Sequence, residues 1–292
     1  MNNQDIVVFT HLDLDGVVSY LALCWVYGKK LPCIPTTVSK IQSDFEKFTN
    51  LNKNYDRLYF LDLDVSKIGD LIDNEKTVVL DHHKTHIYPY EKAVTKIYNE
   101  TSCAKLIYDT FLKASNKEIT QAQKLLIALA DDWDSAKKNT PLSEELNIVY
   151  HNMSNKFNSF VEDYYDGFKP FDKFKKNTVL LYKKNCEEYL NQLVPFVGEF
   201  EFEGQKANVG AVFCEKYVQE CCDFLFAKHN VDISIAVLTS SKRISVRRNA
   251  NYDKIDVSKF VQRIASGGGH EAAAGGNLTE EFIEFTKMLR QI

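Results

Sequence analysis

The sequence Ile6-Val-Val-Phe-Thr-His-Leu-Asp-Leu-Asp-Gly16 joins a short apolar run to two acidic residues and a glycine. Residues 6–9 are typical of a buried strand, and the segment 17–27 that follows is typical of a helix. The same alternation continues to residue 80, with strands predicted at 33–38, 57–61 and 77–80 and helices at 42–49 and 67–72. Strands that alternate with helices indicate a parallel sheet covered by helices.

A boundary between two domains is predicted between residues 190 and 200. Helices are predicted at 102–112 and 118–130, and a helical layer continues to residue 190, where turn residues collect. Beyond it the predicted elements are strands at 207–213, 232–238 and 244–246 and helices at 216–228 and 257–264. We therefore expect an α/β protein with a parallel-sheet domain over residues 1–190, a smaller α/β domain over 200–292, and a cleft between them.

Composition limits the classes of protein to which the chain can belong. Its 292 residues are 45% hydrophobic and 26% charged, as in ordered globular proteins. The longest apolar run, residues 16–27, is too short to cross a bilayer and follows no basic segment, so a cytoplasmic protein without a membrane partner is expected. Seven cysteines without a Cys-x-x-Cys pair favour reduced thiols. The formal net charge of −4 gives no general attraction to long nucleic acids.

Acidic and histidine residues gather where predicted elements end. The groups are His11-Leu-Asp-Leu-Asp15, Asp62-Leu-Asp64, Asp81-His-His83 and Asp131-Asp-Trp-Asp134. A single Asp-x-Asp more often caps a turn or a helix, but the carboxyl ends of parallel strands share one edge of a sheet, so we expect these groups to meet. Carboxylates this close repel one another unless cations lie between them, and Asp with His suits Mn²⁺. The pattern therefore predicts a site for two metal ions.

Two motifs carry a resemblance to a known family. Asp81-His82-His83 resembles the motif that gives the DHH phosphoesterase family its name. The glycine-rich Gly267-Gly-Gly-His-Glu-Ala-Ala-Ala-Gly-Gly276, preceded by Ile244-Ser-Val-Arg-Arg248, resembles the DHH-associated C-terminal domain of the oligoribonuclease, or nanoRNase-like, branch. The resemblance spans nearly the whole chain, although residues 135–200 contain no motif that matches.

The resemblance implies ligands for two divalent ions, with Mn²⁺ expected and Mg²⁺ or Co²⁺ as alternatives. The implied ligands are His11, Asp13, Asp15, Asp62, His82 and Asp131. His11 lies two residues before the first Asp, whereas one common form of the family has four, so it is a ligand or the partner of one. Asp62 would bridge both ions, with Asp64 as the fallback. Asp134 is the second choice, after Asp131, for the acidic ligand of the fourth motif, because three acids occur where the family has one.

The resemblance also implies catalytic roles. Asp62, His83 and Asp81 form the expected catalytic set. His83 would face the substrate phosphate. Asp81 would orient His82, because ligating imidazoles usually donate their other N–H to a carboxylate or a carbonyl.

An anion-binding region is predicted in the C-terminal domain, where residues 241–263 contain seven basic and two acidic residues. Arg247 and Arg248 suit phosphate, but strand alternation puts them on opposite faces, and the family's arginine matches Arg247 better. Gly268 and Gly269 would expose backbone amides at the start of a following helix, with His270 as a further donor; a flexible loop is the alternative.

Together these residues predict a Mn²⁺-dependent phosphodiesterase, a hydrolase that releases mononucleotides from short single-stranded oligonucleotides. Alternatives with the same chemistry are the hydrolysis of linear or cyclic dinucleotides, removal of the 3′-phosphate from adenosine 3′,5′-bisphosphate, and single-strand DNA exonuclease action. A pyrophosphatase ranks below these. A nucleotide-binding protein without catalysis is the alternative from a different class. No protein partner is indicated.

Overall fold

The computed structural model describes residues 5–51, 54–114, 117–135 and 137–280. The chain divides into two compact units, Met1–Leu180 and Leu181–Ile292. This division falls within helix α8 (Lys173–Leu190), whereas the boundary predicted from the sequence lies where that helix ends. Each unit has its own sheet, so the predicted two-domain α/β class is confirmed.

The sheet of the first unit has five strands, and all of its neighbouring strands pair in parallel. Its order is β2-β1-β3-β4-β5, formed by β1 (Ile6–His11), β2 (Cys33–Thr36), β3 (Arg57–Leu61), β4 (Thr77–Asp81) and β5 (Val94–Ile97). The predicted parallel sheet is therefore confirmed. The edge strand β5 was not predicted, because its side chains are largely exposed and give no apolar pattern.

Helices cover this sheet and extend beyond it. The helices are α1 (Leu14–Tyr27), α2 (Ile41–Asn50), α3 (Gly69–Ile72), α4 (Cys103–Ile107), α5 (Gln121–Asp134), α6 (Pro141–His151), α7 (Lys156–Tyr164) and α8; a 3₁₀ turn at Ser66–Ile68 precedes α3, and a π-helical segment at Tyr108–Lys113 follows α4. Helix α1 is buried from Leu14 to Trp25, so it is a central element of the unit. No helix in the described part of the chain is long and apolar enough to cross a membrane.

Aromatic packing fixes the strands that lead to the acidic residues. The rings of Phe9 in β1 and Phe60 in β3 stack with their centroids 5.2 Å apart. Phe48 of α2 meets Phe9 edge-on at 5.5 Å. Because all three rings are buried, this contact holds β1 and β3 in register just before their carboxyl ends.

The second unit contains a mixed sheet of order β10-β11-β9-β8-β7-β6, in which only β7 and β8 pair in parallel. Its elements are β6 (Phe196–Phe202), β7 (Gln205–Phe213), α9 (Val218–His229), β8 (Ile233–Leu238), β9 (Arg243–Arg248), α10 (Val257–Ile264), β10 (Ser266–His270) and β11 (Ala273–Asn277). Strand β6 was not predicted, since the sequence there was interpreted as the domain boundary.

The glycine-rich segment is a β-hairpin and not a loop that opens a helix. Gly267, Gly268 and Gly269 lie in β10, which pairs with β11. A Cβ on Gly267 would lie 2.2 Å from the carbonyl oxygen of Gly275, so the two strands approach too closely for a side chain. The prediction that these glycines begin a helix was therefore wrong; Gly267 and Gly269 permit close strand pairing.

Candidate metal centre

The turn after β1 brings the first acidic residues to the carboxyl edge of the sheet. Asp13 caps α1, where its carboxylate accepts a hydrogen bond of 2.9 Å from the backbone amide of Gly16. A Cβ on Gly16 would lie 2.2 Å from the carbonyl oxygen of His11, so this tight passage from strand to helix requires glycine. Asp15 then lies in the first turn of a buried helix.

Asp15 is held by the start of another helix. Its two carboxylate oxygens accept hydrogen bonds from the backbone amides of Cys103 (2.7 Å) and Ala104 (3.0 Å) in α4. These bonds fix the orientation of the carboxylate, whose Oδ2 lies 3.8 Å from Nε2 of His82.

Asp62 directly follows β3, and its backbone conformation is unusual. Its φ of 56° is in the left-handed region, which costs a non-glycine residue about 1 kcal/mol or more. Its amide donates a hydrogen bond of 2.9 Å to the carbonyl of Leu80, and its side chain is buried. Oδ1 of Asp62 lies 3.1 Å from Nε2 of His82, whereas Oδ2 is buried without a hydrogen-bond partner. The fold thus holds this carboxylate in one place at the cost of backbone strain.

Three groups of side chains in the described residues could hold a cation, with their ligand atoms within 4.8 Å of one another. They are His11, Asp13 and Asp62; Asp15, His82 and Asp134; and Asp62, Asp81, His82 and His83. Asp62 and His82 each belong to two of the groups. The sequence-predicted residues at three strand ends are therefore brought together.

Short distances connect these groups. Nδ1 of His11 lies 2.6 Å from Oδ2 of Asp13 and 3.7 Å from Oδ2 of Asp62. Nε2 of His82 lies 3.4 Å from Oδ2 of Asp134, in addition to its contacts with Asp62 and Asp15. One nitrogen of His82 thus faces three carboxylates.

The clustered carboxylates disfavour their own ionisation. Burial, and then the negative charges of Asp13 and Asp15, raise the pKa of Asp62 well above its ordinary value. Burial and the charge of Asp134 raise the pKa of Asp15 to about 7. Burial also raises the pKa of Asp134, whose Oδ2 is another buried oxygen without a hydrogen-bond partner. These are the features of a site that a cation would complete, because a bound cation neutralises the repulsion and occupies the free oxygens.

His11 and Asp13 behave as an ion pair beside this cluster. Burial lowers the pKa of His11, but its hydrogen bond with Asp13 and the nearby carboxylate of Asp62 outweigh burial and raise the pKa to about 10. Burial would raise the pKa of Asp13, yet the hydrogen bond with His11 lowers it. A divalent ion here would therefore take the place of the imidazole proton.

Asp81 contacts different histidines from the one expected. Its Oδ1 lies 2.7 Å from Nδ1 of His83, and its Oδ2 lies 2.6 Å from Nδ1 of His86. Toward His82 it accepts only the backbone amide, at 2.8 Å, so the expected orientation of the His82 ring by Asp81 was wrong. Sequence reasoning missed His86, whose Nε2 lies 2.8 Å from the hydroxyl oxygen of Tyr90. A histidine three residues after the Asp-His-His motif was the signal in the sequence.

The acidic residues at the end of α5 have separate roles. Asp131, the first choice as a ligand, accepts hydrogen bonds from the amide of Ser102 (2.9 Å) and from Nζ of Lys137 (2.7 Å). Asp132 accepts a hydrogen bond of 2.9 Å from the amide of Asn139, in the loop before α6, and one of 2.7 Å from the hydroxyl of Ser143 in α6. Only Asp134 of the three belongs to a ligand group. The geometry of the described residues therefore favours the second choice, Asp134, over Asp131 as the fourth acidic ligand.

Asp64, the fallback for Asp62, has a local role. Its Oδ1 accepts hydrogen bonds from the backbone amide of Ser66 (3.0 Å) and from its hydroxyl (2.6 Å). This is the turn-capping arrangement common for Asp, so the fallback is not needed.

The predicted substrate-binding residues lie in the second unit. Arg247 and Arg248 alternate along β9, and Arg248 donates a hydrogen bond of 3.5 Å to the carbonyl of Ile255. The Nε of Arg247 is buried without a hydrogen-bond partner. His270 ends β10, where its Nδ1 accepts a bond of 3.2 Å from the amide of Ala272. Gly268 and Gly269 precede it in β10, so they belong to a hairpin and do not begin a helix.

Comparison with known protein families agrees with these motifs. Residues 5–131 match the N-terminal domain of the DHH family. Residues 190–292 match the DHHA1 domain. The chain belongs to the DHH phosphoesterase family. The resemblance inferred from the Asp-His-His and glycine-rich motifs is thereby confirmed. No protein of curated function matches the sequence.

Solved structures share the DHH fold over nearly the whole chain. One is the DHH domain of a protein described as a member of a family of ribosomal proteins, with 13% identity, a TM-score of 0.67, and coverage of 98% of this chain and 86% of that one. The pGpG-specific phosphodiesterase PggH from Vibrio cholerae has 14% identity, a TM-score of 0.58 and coverage of 97% and 96%. RecJ from Thermus thermophilus, in complex with Mn²⁺, has 13% identity, a TM-score of 0.55 and coverage of 98% and 51%. At these identities the likeness shows the fold alone.

Proposed function

We propose that the protein is a metal-dependent phosphodiesterase that hydrolyses short oligonucleotides to mononucleotides. The observation that carries the proposal is the convergence of Asp15, Asp62 and Asp134 on His82. Two of these carboxylates keep a buried oxygen without a hydrogen-bond partner, as expected of metal ligands. A pair of divalent ions can stabilise both the attacking and the leaving oxygen in an in-line displacement at phosphorus. A site for two such ions in a DHH-family protein therefore favours phosphoester hydrolysis.

Two divalent ions are the proposed cofactors, with Mn²⁺ preferred and Mg²⁺ or Co²⁺ as alternatives. His11, Asp13 and Asp62 would hold one ion, and Asp15, His82 and Asp134 the other. The known complexes of Thermus thermophilus RecJ with Mn²⁺ and with Mg²⁺ support this choice of metals. When bound, such ions activate water and neutralise negative charge on phosphate oxygens.

His83 is the proposed proton donor. Burial lowers the pKa of His83, but its hydrogen bond with Asp81 outweighs burial and raises the pKa above the ordinary value. Since Nδ1 is held by Asp81, Nε2 remains free to donate to a phosphate oxygen or to the leaving oxygen. Asp81 and His86 act by positioning this imidazole. In the second unit, Arg247, whose buried Nε has no hydrogen-bond partner, is proposed to bind a substrate phosphate, with Arg248 and the Gly268–His270 segment as further contacts.

A second candidate, hydrolysis of linear dinucleotides, has a specific observation in its favour. The Vibrio cholerae phosphodiesterase with the same fold over 97% of this chain is named as specific for pGpG. Both candidates use the same residues and the same bond cleavage, and they differ in the length of the substrate.

The test is a hydrolysis panel with Mn²⁺, containing dinucleotides, five-base RNA and DNA, cyclic dinucleotides and adenosine 3′,5′-bisphosphate. Wild type is compared with Asp62→Asn, and Asp64→Asn serves as the matched control because its carboxylate only caps Ser66. We expect mononucleotide release from the shortest oligomers by wild type and by the control, and loss of release in Asp62→Asn.

The outcomes separate the candidates. Turnover that falls steeply beyond two nucleotides favours the dinucleotide phosphodiesterase. Preference for long DNA, for a cyclic dinucleotide or for the bisphosphate would replace the proposed substrate and keep the chemistry. Tight nucleotide binding without turnover, in wild type and in Asp62→Asn alike, would overturn the proposal and indicate a nucleotide-binding protein without catalysis.

A further inference from the structure

The first residues of α4 connect acidic residues that come from distant parts of the sequence. The backbone amides of Cys103 and Ala104 donate hydrogen bonds to the two carboxylate oxygens of Asp15. The amide of the preceding residue, Ser102, donates to Oδ1 of Asp131 in α5. We name Ser102, Cys103 and Ala104 the α4 start. All three residues lack exposed surface, so water does not compete for these hydrogen bonds.

The side chain of Cys103 anchors the α4 start to strand β4. Its Sγ donates a hydrogen bond of 3.1 Å to the carbonyl oxygen of Leu80. The same carbonyl oxygen accepts the amide of Asp62, at 2.9 Å. Leu80 lies two residues before His82. One oxygen atom therefore links the α4 start to the ends of the two strands that carry the proposed ligands Asp62 and His82.

Asp131 anchors the α4 start to helix α5. Its carboxylate is buried, and Oδ2 accepts a hydrogen bond of 2.7 Å from Nζ of Lys137. Asp131 and the proposed ligand Asp134 are three residues apart in the same helix, so their side chains are neighbours on its surface. The hydrogen bond from Ser102 to Asp131 thus ties the α4 start to the part of α5 that carries Asp134.

The two amides that hold Asp15 leave it able to bind a cation. A carboxylate oxygen can accept more than one bond, so an oxygen that accepts an amide can also bind a metal ion. Carboxylates that bind metal ions are usually hydrogen-bonded by neighbouring groups, which set their orientation. Loss of such a group typically weakens metal binding about 10–100-fold. The α4 start is placed to set the orientation of Asp15 in this way.

We propose that Asp131 and Cys103 are positioning residues of the metal centre. Both hold the α4 start, and through its amides they keep Asp15 in place for the ion that it would bind with His82 and Asp134. Neither Asp131 nor Cys103 belongs to a ligand group within the described ranges, so neither needs to touch the ion. The inference rests on the metal centre of the proposed function and deepens it, because it names residues that control metal affinity without being ligands.

The test measures Mn²⁺ binding to the metal-free full-length protein by titration calorimetry. In Asp131→Ala we expect the Mn²⁺ affinity to fall about tenfold or more, because the Ser102 amide loses its acceptor. Asp131→Asn keeps an oxygen for this amide and should lose less than about threefold. Lys137→Gln is the matched control, since it removes the ion pair of Asp131 and keeps the bond to Ser102; it should also lose less than about threefold.

Cys103→Ala tests the second anchor. We expect the Mn²⁺ affinity to fall about threefold to tenfold, since the bond to the carbonyl of Leu80 is lost. Cys103→Ser should lose less, because its hydroxyl can donate to the same carbonyl. The control is Cys24→Ala, which removes another buried thiol of the same unit, from the part of α1 distant from Asp15. This variant should bind Mn²⁺ like wild type. If Asp131→Ala does not fold, the contrast between Cys103→Ala and Cys24→Ala decides.

Thermal unfolding without metal separates positioning from folding. Variants with a lowered Tm whose Mn²⁺ affinity, measured well below that temperature, equals that of wild type would overturn the inference. Equal losses in Asp131→Ala and Asp131→Asn would also overturn it, because the charge of Asp131 would then matter and its hydrogen bond would not. If wild type binds Mn²⁺ and hydrolyses no nucleotide, the proposed function alone fails, and a tenfold difference between Asp131→Ala and Asp131→Asn would still support the inference. A wild type that binds no Mn²⁺ would overturn the inference together with the metal centre.

Discussion

The tetrapeptide Leu-Asp-Leu-Asp occurs twice, at residues 12–15 and 61–64, each time where a strand of the same sheet ends. In the first copy both acids belong to ligand groups, whereas in the second copy only Asp62 does. A helix begins inside the first copy, so Asp15 enters the metal centre from its first turn. After the second copy the chain instead forms a 3₁₀ turn, and Asp64 caps Ser66.

The difference teaches that the sequence of a motif does not decide which acid is available to a cation. What decides is whether the fold brings its oxygens within reach of other ligand atoms. Hydrogen bonds alone do not decide it, because Asp15 accepts two backbone amides and still belongs to a ligand group. Asp64 and Asp131 are occupied by nearby donors, namely Ser66 in one case and Ser102 and Lys137 in the other. Asp62 and Asp134 each keep a free buried oxygen.

The largest effect on activity is expected from Asp15, the second acid of the first tetrapeptide. Asp64, the second acid of the other copy, is the matched control. Asp15→Ala should lower kcat/KM with Mn²⁺ about 1,000-fold, because loss of metal-borne charge stabilisation removes several kcal/mol. Asp64→Ala should change kcat/KM less than about threefold, because it loses only a turn cap. Steady-state hydrolysis of a dinucleotide measures both. Similar losses in the two variants would show that both copies of the tetrapeptide serve the metal centre.

The neighbouring acids of α5 sharpen the comparison. Asp134→Asn should weaken Mn²⁺ binding at least about 30-fold, whereas Asp131→Asn should change it less than about threefold. Titration calorimetry of the metal-free proteins gives both values. The reverse order would restore Asp131 as the ligand and would mean that Lys137 moves away when metal binds.

The free carboxylates should also make metal binding depend on pH. Ligands must lose their protons, and the pKa of Asp15 is raised to about 7 while that of His11 is raised to about 10. Below these values the proton competes with the ion, so the apparent Mn²⁺ affinity should rise at least about tenfold between pH 6 and pH 8. Calorimetry in buffers of different ionisation enthalpy counts the protons released. A pH-independent affinity would contradict the raised pKa values.

Much of the fold could be predicted because burial leaves a clear pattern in β1, β3 and β4. The carboxyl ends of those strands then place Asp13, Asp62 and His82 at one edge by geometry alone. Strand β5 and the hairpin of β10 and β11 escaped prediction, because exposed side chains and glycines give no apolar alternation.

The missed parts of the site share a different cause. The choice between Asp131 and Asp134 depends on Lys137 and Ser102, which reach Asp131 only in the folded chain. His86 is recognisable only once Asp81 is seen to bind two imidazoles. Tertiary contacts of this kind are decided by where side chains point, and the sequence pattern does not contain that information.

The smallest effect concerns thermal stability. We expect Asp62→Asn and Asp64→Asn to shift the unfolding temperature of the metal-free protein in opposite directions. Folding raises the pKa of the Asp62 carboxylate. The free energy of unfolding therefore falls as the pH rises from the pKa of this group in the unfolded chain to its pKa in the folded chain. Metal-free Asp62→Asn, which has no charge at this position, should therefore unfold about 2–4 °C above metal-free wild type at pH 8, with the difference shrinking toward pH 4. Metal-free Asp64→Asn should unfold below wild type, because Ser66 loses part of its cap. Thermal unfolding with and without Mn²⁺ measures these shifts, and Mn²⁺ should stabilise wild type but not Asp62→Asn. A metal-free Asp62→Asn less stable than wild type at pH 8 would show that Asp62 contributes to folding as Asp64 does, and the contrast between the two copies would fail.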